Sequence, residues 1–270
     1  MSKKHSTYKQ YDGFSVELNS AMKVAYVILD RPPLNVVSMS QREDFADIFK
    51  TLDIDNNVRV IVLKARGKNF SSGGDIQRFM DSSPEKVSHL ADNIKSPEVC
   101  SKPVIASVRG YCFGVGFEMC LACDFRIVSE TTNFALPEQK IGMIPGSGGS
   151  IRLLHMIGIS RTKDIVMRSR WISGKESENW GIATLCVKDD KLEESTDELV
   201  KELTTFSPLA QRTIKGVINT AQDTTLHAGI ELEGHAYGRL RGSNDFAAGV
   251  NAFNDKKRAK WSGYYSYFLY

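Results

Sequence analysis

The chain has 270 residues, of which 41% are hydrophobic and 25% are charged, so it can form one large domain or a domain with an appended subdomain. Its formal net charge is only +3, and this mild excess disfavours nucleic-acid binding, which usually needs a strongly basic patch. No apolar run approaches the roughly 20 residues of a membrane-spanning helix, and residues 1–14 lack the apolar segment of a signal peptide. We therefore expect neither a membrane nor a nucleic acid as a partner.

Five cysteines, an odd number, stand mostly in apolar surroundings at positions 100, 112, 120, 123 and 186. This usage is typical of reduced thiols and predicts a cytoplasmic protein. Cys120 and Cys123 form a CxxC pair, but neither a second pair nor a nearby His accompanies it. We interpret the pair as two small buried residues of one helix, and we expect no metal site.

The first 130 residues alternate between amphipathic segments and apolar β-branched runs. The segment 40–53 predicts a helix, because Ser40 and Glu43 have capping-box spacing and the apolar residues fall on one stripe. The segment 83–94 predicts a second helix, with Ser83 as its N-cap. The apolar runs predict strands at 24–30, 58–65, 102–108 and 125–130. Strands that alternate with helices favour an α/β fold with crossover connections.

The character of the sequence changes after about residue 190. Four segments there are typical of helices separated by short breaks. We predict a core over residues 1–206 and a helical C-terminal subdomain over residues 207–270.

Two glycine-rich stretches each follow a predicted strand and precede a predicted helix. The first, KNFSSGGDIQRF at 68–79, contains Asp75, which is suited to capping a helix. The second, GYCFGVGFEMC at 110–120, precedes a helix that we expect to begin around residues 116–118. Glycine lets a backbone approach a ligand closely, and the first N–H groups of a helix are free to bind it. Such loops often only turn the chain, but two that face each other could form an oxyanion hole.

Two acidic residues follow glycine-rich turns in this region. Glu118 lies in the second loop, and Glu138 follows Pro137 after an apolar, strand-like piece. Taken singly, either is typical of a solvated or salt-bridged residue. Together they suggest a carboxylate pair for acid–base chemistry, because neighbouring carboxylates can hold different protonation states. We expect Gly146, Gly148 and Gly149 to let the next helix start close to Glu138.

Long stretches of the chain resemble the crotonase superfamily, also called the enoyl-CoA hydratase/isomerase family. The resemblance covers nearly the whole chain, and its pieces occur in family order. They are LDRPPLNVVS, NFSSGGDI, KPVIASVRGYCFGVGFEMCLACDFRIVSE, FALPEQKIGMIPGSGGSIRL, ISGKESENWGIA, SPLAQRTIK and DFAAGVNAFNDKKRAKWSG.

This resemblance implies an α/β fold made of a spiral of ββα units with a helical C-terminal subdomain, assembled as trimers or dimers of trimers. The substrates would be acyl-CoA thioesters, and CoA would arrive as part of the substrate, so no further cofactor is expected. The thioester oxygen would lie between the backbone N–H groups of Ser72 and Val115. The family usually has Gly at the second of these positions, and a Val side chain narrows the space around the acyl group.

The resemblance also implies roles for the two acids. Glu118 and Glu138 match the pair that holds a water molecule in the hydratases of the family. One carboxylate would take the proton of the water, and the other would deliver a proton to the α-carbon of the thioester. Isomerases of this type commonly keep only the acid that matches Glu138, so the pair favours hydration or its reverse. Isomerisation, carbon–carbon cleavage and thioester hydrolysis remain alternatives, as does a non-catalytic binding protein, including an RNA-binding one.

The remaining expected contacts with CoA or the acyl group are spread along the chain. The residues concerned are Arg31, Ser71, Gly73, Asp75, Ile76, Tyr111, Gly114, Phe253, Lys256 and Lys257. For Arg31 the alternative is a structural ion pair at a strand end, and for Tyr111 it is core packing. The last three would reach a CoA bound on a neighbouring subunit, and a solvated basic end is their alternative.

Overall fold

A six-stranded sheet forms the centre of the protein, for which a computed structural model describes residues 8–263. Its strand order is β1-β2-β3-β4-β6-β9, and all neighbours are parallel except β1 and β2. A second sheet has the order β5-β7-β8. The strands are β1 (Phe14–Asn19), β2 (Val24–Leu29), β3 (Val60–Ala65), β4 (Val104–Val108), β5 (Tyr111–Phe113), β6 (Phe125–Ser129), β7 (Asn133–Ala135), β8 (Ile172–Ser173) and β9 (Leu185–Val187).

The four strands predicted from apolar runs are confirmed as β2, β3, β4 and β6. They are apolar nearly throughout because both faces of the large sheet are covered. On one face Ala25 and Val27 pack in a cluster with Phe45. On the other, Val24 packs in a cluster with Leu192.

The helices of the first two thirds of the chain connect and cover these strands. They are α1 (Met39–Ile54), α2 (Ile76–Phe79), α3 (Pro84–Val87), α4 (Leu90–Ile94), α5 (Ser96–Val99), α6 (Val115–Leu121), α7 (Gly149–Met167) and α8 (Gly174–Asn179). Two 3-10 helices lie at Glu138–Ile141 and Asp189–Lys191.

The start of α1 differs from the expectation. The N-cap is Ser38, whose hydroxyl accepts from the N–H of Gln41, while the Gln41 side chain accepts from the N–H of Ser38. This reciprocal pair is the capping box, so the predicted box at Ser40 and Glu43 was wrong by two residues. Both pairs have the required spacing, but α1 already begins at Met39, and Ser38 has the extended backbone of an N-cap, with φ −81° and ψ 172°.

The predicted helix at 83–94 is two short helices, α3 and α4. Ser83 does cap the first one, because its hydroxyl accepts from the N–H of Lys86. The helix then breaks at Ser88 and His89, after which Leu90 and Ile94 turn into the core.

Four helices end the described chain: α9 (Leu192–Thr204), α10 (Pro208–Ala221), α11 (Leu226–Arg241) and α12 (Asn244–Asn254). Serine or threonine caps the last three of them. Among the described residues, the buried members of one core cluster end at Ala183 and those of the other at Leu203. The second end lies near the proposed boundary at residue 207, which stays a prediction. Residues 264–270 of the proposed subdomain lie outside the described part.

Within residues 8–263, no helix is both long and apolar enough to cross a membrane.

A buried lysine joins α10 to the core. The ammonium of Lys215 donates to the carbonyls of Pro97 and Lys102 at 2.7 and 2.9 Å and to the Asp124 carboxylate at 2.7 Å. Asp124 also accepts from the N–H of Val104 at the start of β4. In this ion pair the ammonium of Lys215 donates all three of its protons to acceptors of the protein. The pair therefore fixes the C-terminal helices against the parallel sheet.

We expect Lys215→Met to lower the free energy of unfolding by about 3 kcal/mol, because the change leaves Asp124 buried without its cation. Urea denaturation at fixed protein concentration measures the loss. The control is Lys201→Met on the exposed side of α9, which should change stability by less than about 0.5 kcal/mol. Equal effects of the two substitutions would show that the pair does not anchor α10.

Candidate active site

The two glycine-rich loops of the sequence lie side by side in the structure. Residues 71–75 run as an extended segment between residues 34–37 on one side and β5 on the other. The N–H of Ser71 donates to the carbonyl of Tyr111, and the N–H of Phe113 donates to the carbonyl of Ser71, both at 2.9 Å. The loops are therefore held by backbone hydrogen bonds, which give them a fixed relative position.

Ser72 is not a free donor, which corrects the expected oxyanion hole. Its N–H donates to the carbonyl of Leu34 at 2.8 Å. In an extended segment successive N–H groups point to opposite sides. Gly73, with a φ of +111°, interrupts this alternation, so the N–H groups of Ser72 and Asp75 both donate to residues 34–37. Val37 bonds the residues on either side of Gly74, so the N–H of Gly74 points the opposite way, to the side of β5.

The N–H groups of Gly74 and Val115 have no acceptor among residues 8–263. Val115 is the first residue of α6, where an N–H has no partner within the helix. The loops touch beside these groups, since a Cβ atom on Gly114 would lie 3.6 Å from the Cα of Gly73. The geometry thus offers two neighbouring free donors, one from each loop.

Glu118 lies on α6 and is only 2% exposed. Its Oε1 accepts from the N–H groups of Ser147 at 2.7 Å and Gly149 at 3.1 Å, where α7 begins. These donors and the helix N-terminus stabilise a negative charge on the carboxylate. A Cβ atom on Gly149 would lie 2.9 Å from Cγ of Glu118, so this glycine brings α7 against Glu118, whereas we expected it to serve Glu138.

Glu138 begins the 3-10 helix that follows β7. A Cβ atom on Gly114 would lie 3.1 Å from its Oε1, which puts the carboxylate beside the second loop. Burial raises the pKa of Glu138 to about 7. The next-largest effect is the bond from its own N–H, which lowers the pKa, followed by the negative charge of Glu118, which raises it, and the cation of Arg42, which lowers it. The structure thus brings the two predicted glutamates together, and Glu138 can exchange a proton near neutral pH.

Arg42 belongs to the same group, although the sequence analysis did not select it. It is 3% exposed, its Nη1 donates to Oγ of Ser147 at 2.8 Å, and both glutamates act on its charge. A signal was present in the sequence, because Arg42 stands three residues before Phe45 in the apolar stripe of α1. A charged residue in such a stripe must find buried partners.

Three residues of the expected CoA site have their polar groups engaged within the protein. Ser71 is fully buried, and its hydroxyl donates to the carbonyl of Asn35 and accepts from the N–H of Gly73, so its expected contact with CoA or the substrate stays a prediction. Asp75 precedes α2 but makes no capping bond, and its carboxylate pairs with Arg78. Arg31 donates to the Gln41 side chain at 3.0 Å, and among residues 8–263 it does not form the alternative ion pair.

Aromatic side chains form a partly exposed patch next to the second loop. The rings of Tyr111 and Phe113 stack at 5.1 Å between centroids, and Phe113 lies 4.7 Å from the ring of Trp171. Ile76 is exposed at the start of α2. These residues lie beside the two loops, where a substrate could contact them.

Phe253, Lys256 and Lys257 lie at the end of α12 and its following turn, where all three are exposed. Their described contacts do not join them to the glutamates. Their expected approach to a neighbouring subunit stays a prediction.

The CxxC cysteines are buried at the end of α6, and burial raises the pKa of both thiols well above its ordinary value. Cys123 lies just beyond the helix, so the pair does not share one helix as expected. Across residues 8–263, no group of three or more His, Cys, Asp or Glu side chains is arranged to hold a metal ion.

Comparison with known proteins extends over nearly the whole chain. Residues 19–264 match the model of the enoyl-CoA hydratase/isomerase family. "Carnitinyl-CoA dehydratase" of Salmonella arizonae is 32% identical over 93% of this chain and 99% of its own length. "Probable enoyl-CoA hydratase 2, mitochondrial" of Arabidopsis thaliana is 30% identical over 88% of this chain and 81% of its own length.

Solved structures agree with these matches. The crystal structure of enoyl-CoA hydratase from Bacillus anthracis superposes with a TM-score of 0.87 at 30% identity, covering 93% of this chain and all of that one. An enoyl-CoA hydratase structure from Geobacillus kaustophilus gives 0.86 at 31% identity over 93% and 98% of the two chains. The expected crotonase-type α/β fold, with two sheets and C-terminal helices, is thereby confirmed. The chain belongs to the enoyl-CoA hydratase/isomerase family.

Proposed function

We propose that this protein is an enoyl-CoA hydratase-type hydro-lyase, which adds water across the α,β double bond of an acyl-CoA thioester or eliminates it. The observation that carries the proposal is the asymmetric pair of glutamates beside two free N–H donors. Backbone N–H groups hold Glu118, while burial makes Glu138 a group that binds a proton near neutral pH. Hydration needs one base and one acid at such a site.

The chemistry follows from these positions. The N–H groups of Gly74 and Val115 bind the thioester oxygen and stabilise the negative charge that develops on it. As the oxygen of water bonds to the β-carbon, Glu118 takes a proton from that water. Glu138 gives its proton to the α-carbon, so the double bond becomes a single bond and the thioester stays intact. The pair ends with its proton on Glu118, and exchange of this proton restores the starting state.

Other reactions on the same scaffold are the alternatives. An isomerase would use Glu138 alone to move a proton along the acyl chain, and a hydrolase would release free CoA. A non-catalytic binding protein, including one that binds RNA, has no use for the paired glutamates. The relatives include proteins named as hydratase and as dehydratase, which supports water chemistry in either direction.

Assembly and location belong to the proposal as well. We propose a homo-oligomer, a trimer or a dimer of trimers, in which the end of α12 meets CoA on a neighbouring subunit. We propose a cytoplasmic location from cysteine usage, although one relative is named mitochondrial. CoA would enter only as part of the substrate, with no further cofactor.

A panel of α,β-unsaturated acyl-CoAs, incubated with the purified protein and followed by mass spectrometry, tests the reaction class. We expect products heavier by one water with the thioester intact, and the fastest member indicates the acyl group. A thiol probe in the same tubes detects free CoA. Release of CoA without a stable hydrated product would replace the hydratase by a hydrolase.

Glu118→Gln and Glu138→Gln should each lower kcat by at least about 100-fold, because each removes a proton acceptor or donor from the transition state. Steady-state hydration assays measure the loss, and circular dichroism checks folding. Glu85→Gln, on exposed α3, is the matched control and should leave kcat unchanged. Near-normal turnover by either active-site variant would contradict the mechanism.

The pH dependence follows from the proton shared by the pair. The pKa of Glu138 is raised to about 7, so the pair loses its proton as the pH rises through that value. Hydration consumes no net proton, so the same singly protonated pair serves both directions. We therefore expect kcat/KM for hydration and for dehydration to fall in parallel, about tenfold per pH unit, above about pH 7. A kcat/KM that stays constant up to about pH 9 would contradict this assignment.

A further inference from the structure

Arg42 is connected to Glu118 by a short chain of hydrogen bonds. Its Nη1 donates to the hydroxyl of Ser147 at 2.8 Å, and the N–H of Ser147 donates to Oε1 of Glu118 at 2.7 Å. All three residues are buried. The guanidinium also lies over the ring of Phe79, 5.5 Å from its centroid. Arg42 is therefore held in one place by Ser147, just before α7, and by Phe79 of α2.

The same guanidinium also acts on Glu138. The Nε of Arg42 and the Oε2 of Glu138 are both buried, and neither has a hydrogen-bond partner among the described residues. A Cβ atom on Gly74 would lie 3.5 Å from Nη2 of Arg42, so the cation borders the loop that carries a free N–H. Two carboxylates, one fixed cation and one free donor thus share a small buried volume.

We propose that Arg42 is a positioning residue of the reaction: held by Ser147, its charge stabilises the negative charge of the glutamate pair while the pair keeps a single proton. The proposal rests on the proposed function, because a shared proton matters only where both glutamates take part in proton transfer. It assigns Arg42 and Ser147 a part in acid–base chemistry, although neither needs to touch the substrate.

Electrostatics gives the direction of the effect. The charged groups that act on Glu138 are Glu118 from α6 and Arg42 from α1. Burial and Glu118 raise the pKa of Glu138, whereas the cation of Arg42 lowers it. Removing that cation takes away one of the two lowering influences and leaves only the bond from the N–H of Glu138 itself. The pKa of Glu138 must then move further above about 7.

A titration that needs no turnover tests this inference. Infrared difference spectra between each protein and its Glu138→Gln form report the protonated carboxyl of Glu138 as a function of pH. We expect Arg42→Met to move the midpoint up by about one pH unit, the usual size of the effect of a neighbouring cation. Arg42→Lys, which keeps a cation, should return the midpoint most of the way to that of the unchanged protein. An unchanged midpoint in Arg42→Met would overturn the proposal.

The matched control is Arg152→Met. Arg152 also bonds Ser147, but at its carbonyl oxygen, and it pairs with Glu98. It is not among the groups that act on Glu138, so its loss should leave the midpoint unchanged. A shift as large as that of Arg42→Met would mean that any change around Ser147 moves the titration, and it would overturn the specific role of Arg42.

Ser147→Ala keeps the proposal testable if Arg42→Met does not fold. It retains the cation and the N–H bond to Glu118 but removes the hydroxyl that fixes the guanidinium. We expect the midpoint to lie above that of the unchanged protein, and an unchanged midpoint would overturn the proposal that Arg42, held by Ser147, acts on the pair.

The falling limb of kcat/KM for hydration should move to higher pH with the infrared midpoint, while KM changes less than kcat. A protein without hydratase activity would contradict the proposed function, and the infrared titration would still decide the inference about Arg42.

Discussion

The hydrogen bonds between the start of α7 and Glu118 are the constraint on which the rest of the site depends. A carboxylate that is 2% exposed needs donors, and the N–H groups of Ser147 and Gly149 supply them. This arrangement requires the helix to start against the side chain of Glu118. A Cβ at residue 149 would prevent that approach, so the glycine is part of the site. The orientation of α6, the start of α7 and the charge on Glu118 are therefore set together.

The hydrogen bonds of the first loop likewise determine which of its N–H groups are free. The extended segment 71–75 gives the N–H groups of Ser72 and Asp75 to residues 34–37 and the N–H of Ser71 to β5. What remains on the side of β5 is the N–H of Gly74, opposite the first N–H of α6 at Val115. The backbone pairs that hold the loops in place are thus the reason why these two donors are left over.

The two glutamates acquire different properties from their surroundings rather than from their chemistry. Glu118 accepts two backbone hydrogen bonds, whereas Glu138 has a buried oxygen without a partner among the described residues and a raised pKa. The charges of both carboxylates act on Arg42, and its cation lowers the pKa of Glu138. Asymmetry of this kind is what separates an acid from a base in a carboxylate pair.

The sequence by itself determined the α/β class, the four central strands, the family and the two glutamates. These are local or linear features, because apolar runs, glycine-rich turns and motif order can be read without contacts. Only the tertiary structure decided that Ser38 rather than Ser40 caps α1, that the N–H of Ser72 is already used, and that Arg42 joins the glutamates. Each of these depends on partners far away along the chain. The direction of an N–H group or the burial of a guanidinium follows from how distant segments pack, and the order of residues does not specify it.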